Sequence, residues 1–303
     1  MSQVYWLALT GVPGIGGVTL RKLLERFGGI EAIFSAADEE LLGIPRITPE
    51  IVARLRAISI PAVEAELVAL AQAGMHIVTW DDIGYPANLR LASDAPPLLF
   101  VRGELRPADD QAVAIVGTRQ PSDAATLTAE TLARELAGHG LTVVSGLAQG
   151  IDTAAHRGAL QATHGRTLAV LGSGLQRIHP RENTALAETI ASRGALLSEF
   201  RPDTPVRGPN LMARDRILSG LSRAVIVVEA SENSGSLDTA AKAQRQNRPV
   251  FAVPGSPGTD ALLAAGAQRL DLQTIDWDEF SEQLGAGRAS GEEIPTQLSL
   301  WEM

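Results

Sequence analysis

Three short apolar runs constrain this chain most, because each is rich in β-branched residues and each ends in glycine. They are Val113-Ala114-Ile115-Val116-Gly117, Thr142-Val143-Val144-Ser145-Gly146 and Thr167-Leu168-Ala169-Val170-Leu171-Gly172. A run that is apolar throughout, rather than at alternate positions, suits a strand covered on both faces, as in a parallel sheet. The terminal glycine lets the backbone turn sharply and lets a ligand come close to the main chain. Each helix that follows opens with unpaired N–H groups, which attract anions such as phosphate. Several such loops side by side make an anion-lined crevice at the carboxyl edge of the sheet.

The rest of the chain falls into place around these runs. Strands are expected at 113–117, 141–145, 167–171, 195–199, 224–230 and 249–253, with helices at 122–139, 151–162, 183–193, 210–221 and 235–246. This alternation predicts a doubly wound, mostly parallel α/β sheet, because parallel strands need crossover helices. The prolines of Tyr85-Pro86 and Ala95-Pro96-Pro97 hold an extended connector, with an added strand at 98–101 and an earlier one at 76–80. A helix near 260–267 and a short piece around 272–280 close the fold.

Residues 1–73 are helical in pattern. Gly11-Val12-Pro13-Gly14-Ile15-Gly16 leads into helical spacing from Val18 to Phe27, the helix-hairpin-helix arrangement. In it the turn amides and the next helix start can hold a DNA phosphate. A weaker second copy lies at Leu42-Gly43-Ile44-Pro45-Arg46-Ile47-Thr48, with Arg46 in a place that favours glycine. The same residues also read as a plain helical bundle with a glycine-rich turn. The expected organisation is therefore a helical domain over 1–73, a sheet domain over 74–284, and a flexible linker with a tail over 285–303. That tail holds Gln297-Leu298-Ser299-Leu300-Trp301, whose apolar side chains gain nothing in water. It either docks into a partner's groove or folds back on its own domain.

Composition narrows the function. Aromatic residues make up 4%, too few for stacking many bases on rings. The net charge of −9 restricts any nucleic-acid site to a local patch. Cysteine is absent, which removes disulfides, thiolate metal sites and cysteine nucleophiles together. No stretch is long and apolar enough to span a bilayer and the start lacks a signal-peptide pattern, so a cytoplasmic protein without a membrane partner is expected.

No loop has the Gly-x-x-x-x-Gly-Lys-Ser/Thr form of a P-loop, and no Gly-x-Gly-x-x-Gly follows a strand with its acidic partner. What marks the chain is a density of small-residue loops with arginines beside them. Arg119 follows Gly117-Thr118 directly, where its guanidinium would overhang a phosphate, and Ser122 starts the next helix. Ser145, Gly146, Ala148 and Gly150 form a second loop, and Ser234-Gly235-Ser236 opens another helix. Arg181 lies in a further strand-to-helix loop. Arg214 and Arg216, two apart on a helix, point in different directions, so one of them faces the crevice. Asp152 and His156 share a helix face, where a metal or acid–base pair is conceivable. The reading preferred here is an aspartate capping N–H groups and pairing with a structural histidine. Glu199 and Glu229 end strands, yet nothing supplies a nucleophile or a base relay beside them. Neither a catalytic residue, a metal nor a cofactor is expected.

These motifs together resemble the DprA/Smf family of bacterial DNA-processing proteins. The resemblance runs to about Leu270 and is carried in order by Tyr85-Pro86, Pro96-Pro97-Leu98-Leu99-Phe100-Val101-Arg102-Gly103, Gly117-Thr118-Arg119, Ser145-Gly146-Leu147-Ala148-Gln149-Gly150-Ile151-Asp152, Pro180 with Asn183, Ser198-Glu199, Arg214-Asp215-Arg216-Ile217 and Ser234-Gly235-Ser236-Leu237. It implies an extended Rossmann-like domain that binds single-stranded DNA in a positive crevice. It further implies a homodimer that helps load the RecA recombinase in natural transformation, without enzymatic activity. Arg119, Arg214 and Arg216 carry over as DNA contacts. The tail is similar to the pentapeptide by which bacterial proteins dock on the DNA polymerase sliding clamp.

Three departures place carboxylates near the presumed phosphate site. Asp215 stands where similar proteins have asparagine, Asp238 interrupts a Gly-Ser-Leu-Ile-Thr pattern, and Asp260 follows Gly258-Thr259 in place of a glycine-serine-asparagine stretch. The winged-helix domain that often ends such proteins has no counterpart here. The alternative function is a nucleotide-binding or nucleotide-processing enzyme of the same fold, similar to the phosphoribohydrolases. Their Pro-Gly-Gly-x-Gly-Thr-x-x-Glu loop reads Asn233-Ser234-Gly235-Ser236-Leu237-Asp238-Thr239 here, without the glycines or the glutamate.

Overall fold

The computed structural model describes residues 2–285, so the tail expected to dock on a partner lies outside the described residues. The chain divides into two compact units, one of residues 2–85 with 96–99 and the other of 86–95 with 100–285. The expected boundary after residue 73 thus falls inside the first unit.

The first unit contains helices α1 (Ser2–Thr10), α2 (Gly17–Phe27), α3 (Ile30–Ser35), α4 (Asp38–Leu42), α5 (Pro49–Arg56) and α6 (Ile60–Gln72), then strand β1 (Met75–Thr79). Helix α2 buries Leu20, Leu23 and Leu24 on one face and stops at Gly28, whose φ of 76° is left-handed and whose N–H bonds the Leu24 carbonyl. Helix α5 begins with Pro49 behind Thr48, and the Thr48 hydroxyl accepts the Ile51 N–H. The turns before α2 and α5 repeat one another in their hydrogen bonds. Val12 N–H donates to Leu9 O at 3.1 Å and Ile15 N–H to Val12 O at 3.0 Å. Likewise Ile44 N–H donates to Leu41 O at 3.0 Å and Ile47 N–H to Ile44 O at 3.1 Å. The tandem hairpin is therefore a backbone repeat, and the left-handed residue is Gly14 (φ 100°) in one copy and Arg46 (φ 76°) in the other.

The second unit is built on strands β2 (Leu98–Gly103), β3 (Ala112–Val116), β4 (Thr142–Ser145), β5 (Arg166–Val170), β6 (Ala195–Ser198), β7 (Ala224–Val227), β8 (Val250–Ala252) and β9 (Gln268–Arg269). Their order is β2-β6-β5-β4-β3-β7-β8-β9. Strand β1 neighbours β2, whose first two residues belong to the first unit. Only the β2–β6 pairing is antiparallel among those whose register is defined; from β6 to β9 the strands run parallel. The helices of this unit are α7 (Ala87–Arg90), α8 (Asp123–Gly138), α9 (Ile151–Gln161), α10 (Thr184–Arg193), α11 (Gly208–Leu221), α12 (Gly235–Arg245), α13 (Pro257–Ala264) and α14 (Trp277–Gly285).

The strands are buried because their residues are apolar on both faces. Val113, Ile115, Val143 and Ile226 are fully covered, and Leu132 and Leu136 of α8 pack into the same core. Removing such a leucine side chain would cost about 2–5 kcal/mol. At the amino edge of the sheet Arg166 pairs with buried Asp109, Nε to Oδ1 at 2.5 Å, and the Thr142 hydroxyl donates to that same carboxylate at 2.9 Å. The sequence reading missed β9, and the piece expected at 272–280 overlaps only the start of helix α14, which runs from Trp277 to Gly285. The strand expected at 224–230 ends at Val227, although Val228 N–H still reaches Val116 O at 3.1 Å.

Candidate functional site

At the carboxyl edge of the sheet, the loops after β3, β4 and β7 and one face of α11 enclose a cavity of about 480 Å³. Glycines let these loops close up. A Cβ on Gly117 would lie 2.6 Å from the Ile151 side chain, and one on Gly150 would lie 2.4 Å from Thr118 O. Thr118 N–H donates to Glu229 O at 2.8 Å, and Thr118 O accepts from Ile151 N–H at 3.2 Å. This fixes Arg119 at the rim, exposed and without a hydrogen bond or ion pair among the described residues.

The second loop is held from two sides. Asp152 in the first turn of α9 accepts Gly146 N–H at 3.1 Å and Ala148 N–H at 3.3 Å through Oδ2. The Asn183 amide donates to Leu147 O at 2.9 Å and to the Thr153 hydroxyl at 2.8 Å, which secures Leu147 at a left-handed φ of 60°. Asp152 therefore holds the glycine loop and does not pair with His156. The His156 Nδ1 sits 2.7 Å from the Thr167 hydroxyl, which donates its own hydrogen to Val143 O. Nδ1 thus carries the proton, and buried Nε2 has no hydrogen-bond partner among the described residues.

Arg214 forms the floor. It is 5% exposed, and its Nη1 donates to Gly146 O at 2.7 Å and Val170 O at 2.6 Å, while Nε donates to Asp215 Oδ1 at 2.9 Å. Its Nη2 makes no hydrogen bond among the described residues, and Arg214 lines the cavity. A Cβ on Gly146 would stand 1.9 Å from Nη1, so the glycine is there to admit the guanidinium.

Burial dominates the electrostatics of this floor. It pushes the Asp215 carboxyl up to about 6, against the pull of Arg214 and Lys242 and with the help of Asp152 and Asp238. Burial likewise raises Asp152, with Arg214 opposing. Burial, with the nearby Arg214 charge adding to it, lowers His156 to about 3. The added carboxylates all have partners: Asp215 has Arg214, Asp238 has Lys242 one turn on, and Asp260 accepts Gly255 N–H at 3.0 Å.

Of the residues expected at the site, Gly117, Thr118, Arg119, Ala148, Arg214, Ser234, Gly235 and Ser236 line this cavity. The Ser234 hydroxyl caps α12 by accepting Ser236 N–H. Gly146 and Gly150 shape the cavity through the close approaches above. Ser122 caps α8 and donates to Glu229 Oε2 at 2.8 Å. Ser145 is turned into the sheet, its hydroxyl donating to Ile115 O at 2.7 Å. Arg216 is turned away from the cavity and forks onto Glu199, Nη1 to Oε1 and Nη2 to Oε2 both at 2.7 Å. Arg181 lies in a different cavity. Gln297, Leu298, Leu300 and Trp301 lie outside the described residues. The sequence reading missed Leu211 and Leu218 as lining residues; they share the helix face of Arg214 at spacings of three and four, and Asp215, expected near the phosphate site, lines the cavity too.

Comparison with known proteins bears on this site. Residues 76–279 match the family model of DNA recombination-mediator protein A, and residues 7–57 match a SAM-like helix-hairpin-helix tandem. Protein Smf of Synechocystis is 39% identical over 84% of this chain, which spans 65% of that relative's length. Among solved structures, DNA processing protein A of Streptococcus pneumoniae aligns with a TM-score of 0.74 at 33% identity, covering 89% of this chain and 94% of that one. DNA processing protein A of Helicobacter pylori, described for its single-stranded DNA binding mode, aligns with a TM-score of 0.61 at 32% identity over 70% of this chain and 97% of that one.

Proposed function

Since this chain belongs to the DNA recombination-mediator protein A family, also called DprA/Smf, we propose that it binds single-stranded DNA in the crevice at the carboxyl edge of its sheet. The observation that carries this reading is the meeting of two arginines at one cavity, Arg119 unpaired among the described residues at the rim and Arg214, ion-paired to Asp215, at the floor, beside the amides that open α12. A phosphate is the anion that such a set of donors suits. The protein acts in the cytoplasm as a homodimer, protects incoming strands and delivers them to RecA without a catalytic step. Its tail, Gln297 to Trp301, docks on the DNA polymerase sliding clamp.

The crevice contacts backbone phosphate rather than base edges, so binding depends little on sequence and falls with salt. Replacing Arg119→Ala should weaken binding to a labelled oligo-dT by about tenfold, or about 1.4 kcal/mol. The slope of log affinity against log salt should flatten by about 0.7, the share of a single arginine–phosphate pair. Anisotropy titrations at two salt concentrations measure both. An unchanged dissociation constant at fixed salt would count against the site.

A further inference from the structure

The floor of the crevice holds more negative charge than positive. Arg214 on α11 and Lys242 on α12 face three carboxylates, Asp215 beside Arg214, Asp152 from α9 and Asp238 from α12. With every group ionised the floor is net negative, although the loops around it suit an anion. His156, also on α9, feels Arg214 but stays neutral, and Glu229 at the end of β7 is turned to Ser122.

The three carboxylates are not held alike. Asp152 accepts two N–H groups of the loop after β4, and Asp238 lies against Lys242 one turn on. Asp215 has the Arg214 guanidinium alone: Oδ1 accepts from Nε at 2.9 Å, and Oδ2 accepts no hydrogen bond among the described residues. It is only 8% exposed, and both it and Arg214 line the cavity. Asp215 therefore occupies a donor of the very group that a phosphate would seek. An anion brought to Arg214 meets a second negative charge on the same guanidinium, in surroundings where water screens little. A like charge so placed raises the proton affinity of a carboxylate. Because Asp215 borders the cavity, solvent can supply the proton.

We propose that Asp215 makes strand binding proton-linked: the phosphate replaces the carboxylate as counter-charge to Arg214, and Asp215 takes up one proton from solvent as the strand seats and returns it on release. This rests on the reading of the crevice as a single-strand site. The free carboxyl already stands at about 6, so a modest further rise carries it through neutral pH. Between its free and occupied values the bound state holds more protons, so affinity falls as pH rises, by up to about tenfold per pH unit.

The test titrates labelled oligo-dT by anisotropy across this range at fixed salt, and by calorimetry in two phosphate-free buffers of unlike ionisation enthalpy. Wild type should take up about half a proton or more per strand at about pH 7 and lose affinity by about three- to tenfold per pH unit. Asp215→Asn cannot ionise, so it should lose that uptake, flatten the profile and bind more tightly than wild type at about pH 8. Exposed histidines contribute alike to both proteins, so the difference reports Asp215. Asp238→Asn removes a neighbouring carboxylate but not the proton site, and should tighten binding while keeping the pH slope. A cooperative melt certifies the fold of each variant, and Asp215→Ser repeats the comparison if the asparagine variant lacks one. Equal proton uptake and parallel profiles for wild type and Asp215→Asn would make Asp215 a fixed counter-ion and overturn the linkage, while the crevice reading stands. If wild type binds no strand at any pH in the range, the crevice reading falls and the linkage with it.

Discussion

Asp215 and His156 both feel Arg214, yet they answer acid in opposite senses. Asp215 has a folded pKa of about 6, above its ordinary value, so the folded state holds more protons between about pH 4 and 6. Its contribution to stability is complete below that window and is lost as pH rises through 6. His156, lowered to about 3, stays neutral in the fold while the unfolded chain takes up a proton below about 6.5. Its contribution is complete above 6.5 and is lost as pH falls. Between pH 6 and 4 the two slopes offset, each near 1.4 kcal/mol per pH unit. Asp215→Asn should therefore expose the histidine slope: thermal melts should show the variant losing stability relative to wild type by on the order of 2–3 kcal/mol from pH 6.5 to 4.5. Parallel pH curves for the two proteins would refute the buried setting of Asp215. At this scale the sequence was partly readable. The hold of Asp152 on Gly146 spans six residues and follows from the glycine loop and the helix start. The hold of Arg214 on Gly146 spans 68 residues, and only the folded sheet brings it about.

Among the elements, the tandem hairpin offers a comparison within one chain. Gly14 and Arg46 occupy the same left-handed place in the two copies, and only one of them suits it. A side chain there costs on the order of 1–2 kcal/mol, of which the greater chain entropy of glycine returns about half. Arg46→Gly should leave stability level or raise it by up to about 1 kcal/mol. Gly14→Ala should lower it by about 1–3 kcal/mol, since its Cβ would also stand 2.7 Å from Ile51 Cδ1. Urea unfolding of both variants measures the contrast, and equal effects would mean the repeats are not equivalent. The repeat was legible because Val-Pro-Gly-Ile and Ile-Pro-Arg-Ile share their pattern. The sheet strands were legible because a run such as Val113 to Val116 is apolar throughout. Strand β9 was not, because two exposed residues, Gln268 and Arg269, carry no periodicity.

For the molecule as a whole, the glycine-terminated runs announced a crevice at one edge of a parallel sheet, and the loops after β3, β4 and β7 do meet there. Which arginine faces it was not legible. Arg216 turns to Glu199, a partner 17 residues away on another element, and Arg181 opens into a neighbouring cavity. The proposed tail contact is a property of the entire chain, and a pull-down with the sliding clamp checks it. Leu300→Ala with Trp301→Ala should abolish retention; retention that survives, or that never occurs with wild type, ends the idea. The burial of Arg214 has one more consequence. Dissolved ions gather around Arg119 at the rim but have almost no access to the floor, so added electrolyte dims the outer charge and spares the inner one. A strand bound here would be released from the rim inward, and whatever grip persists in concentrated brine belongs to the guanidinium beneath Gly146.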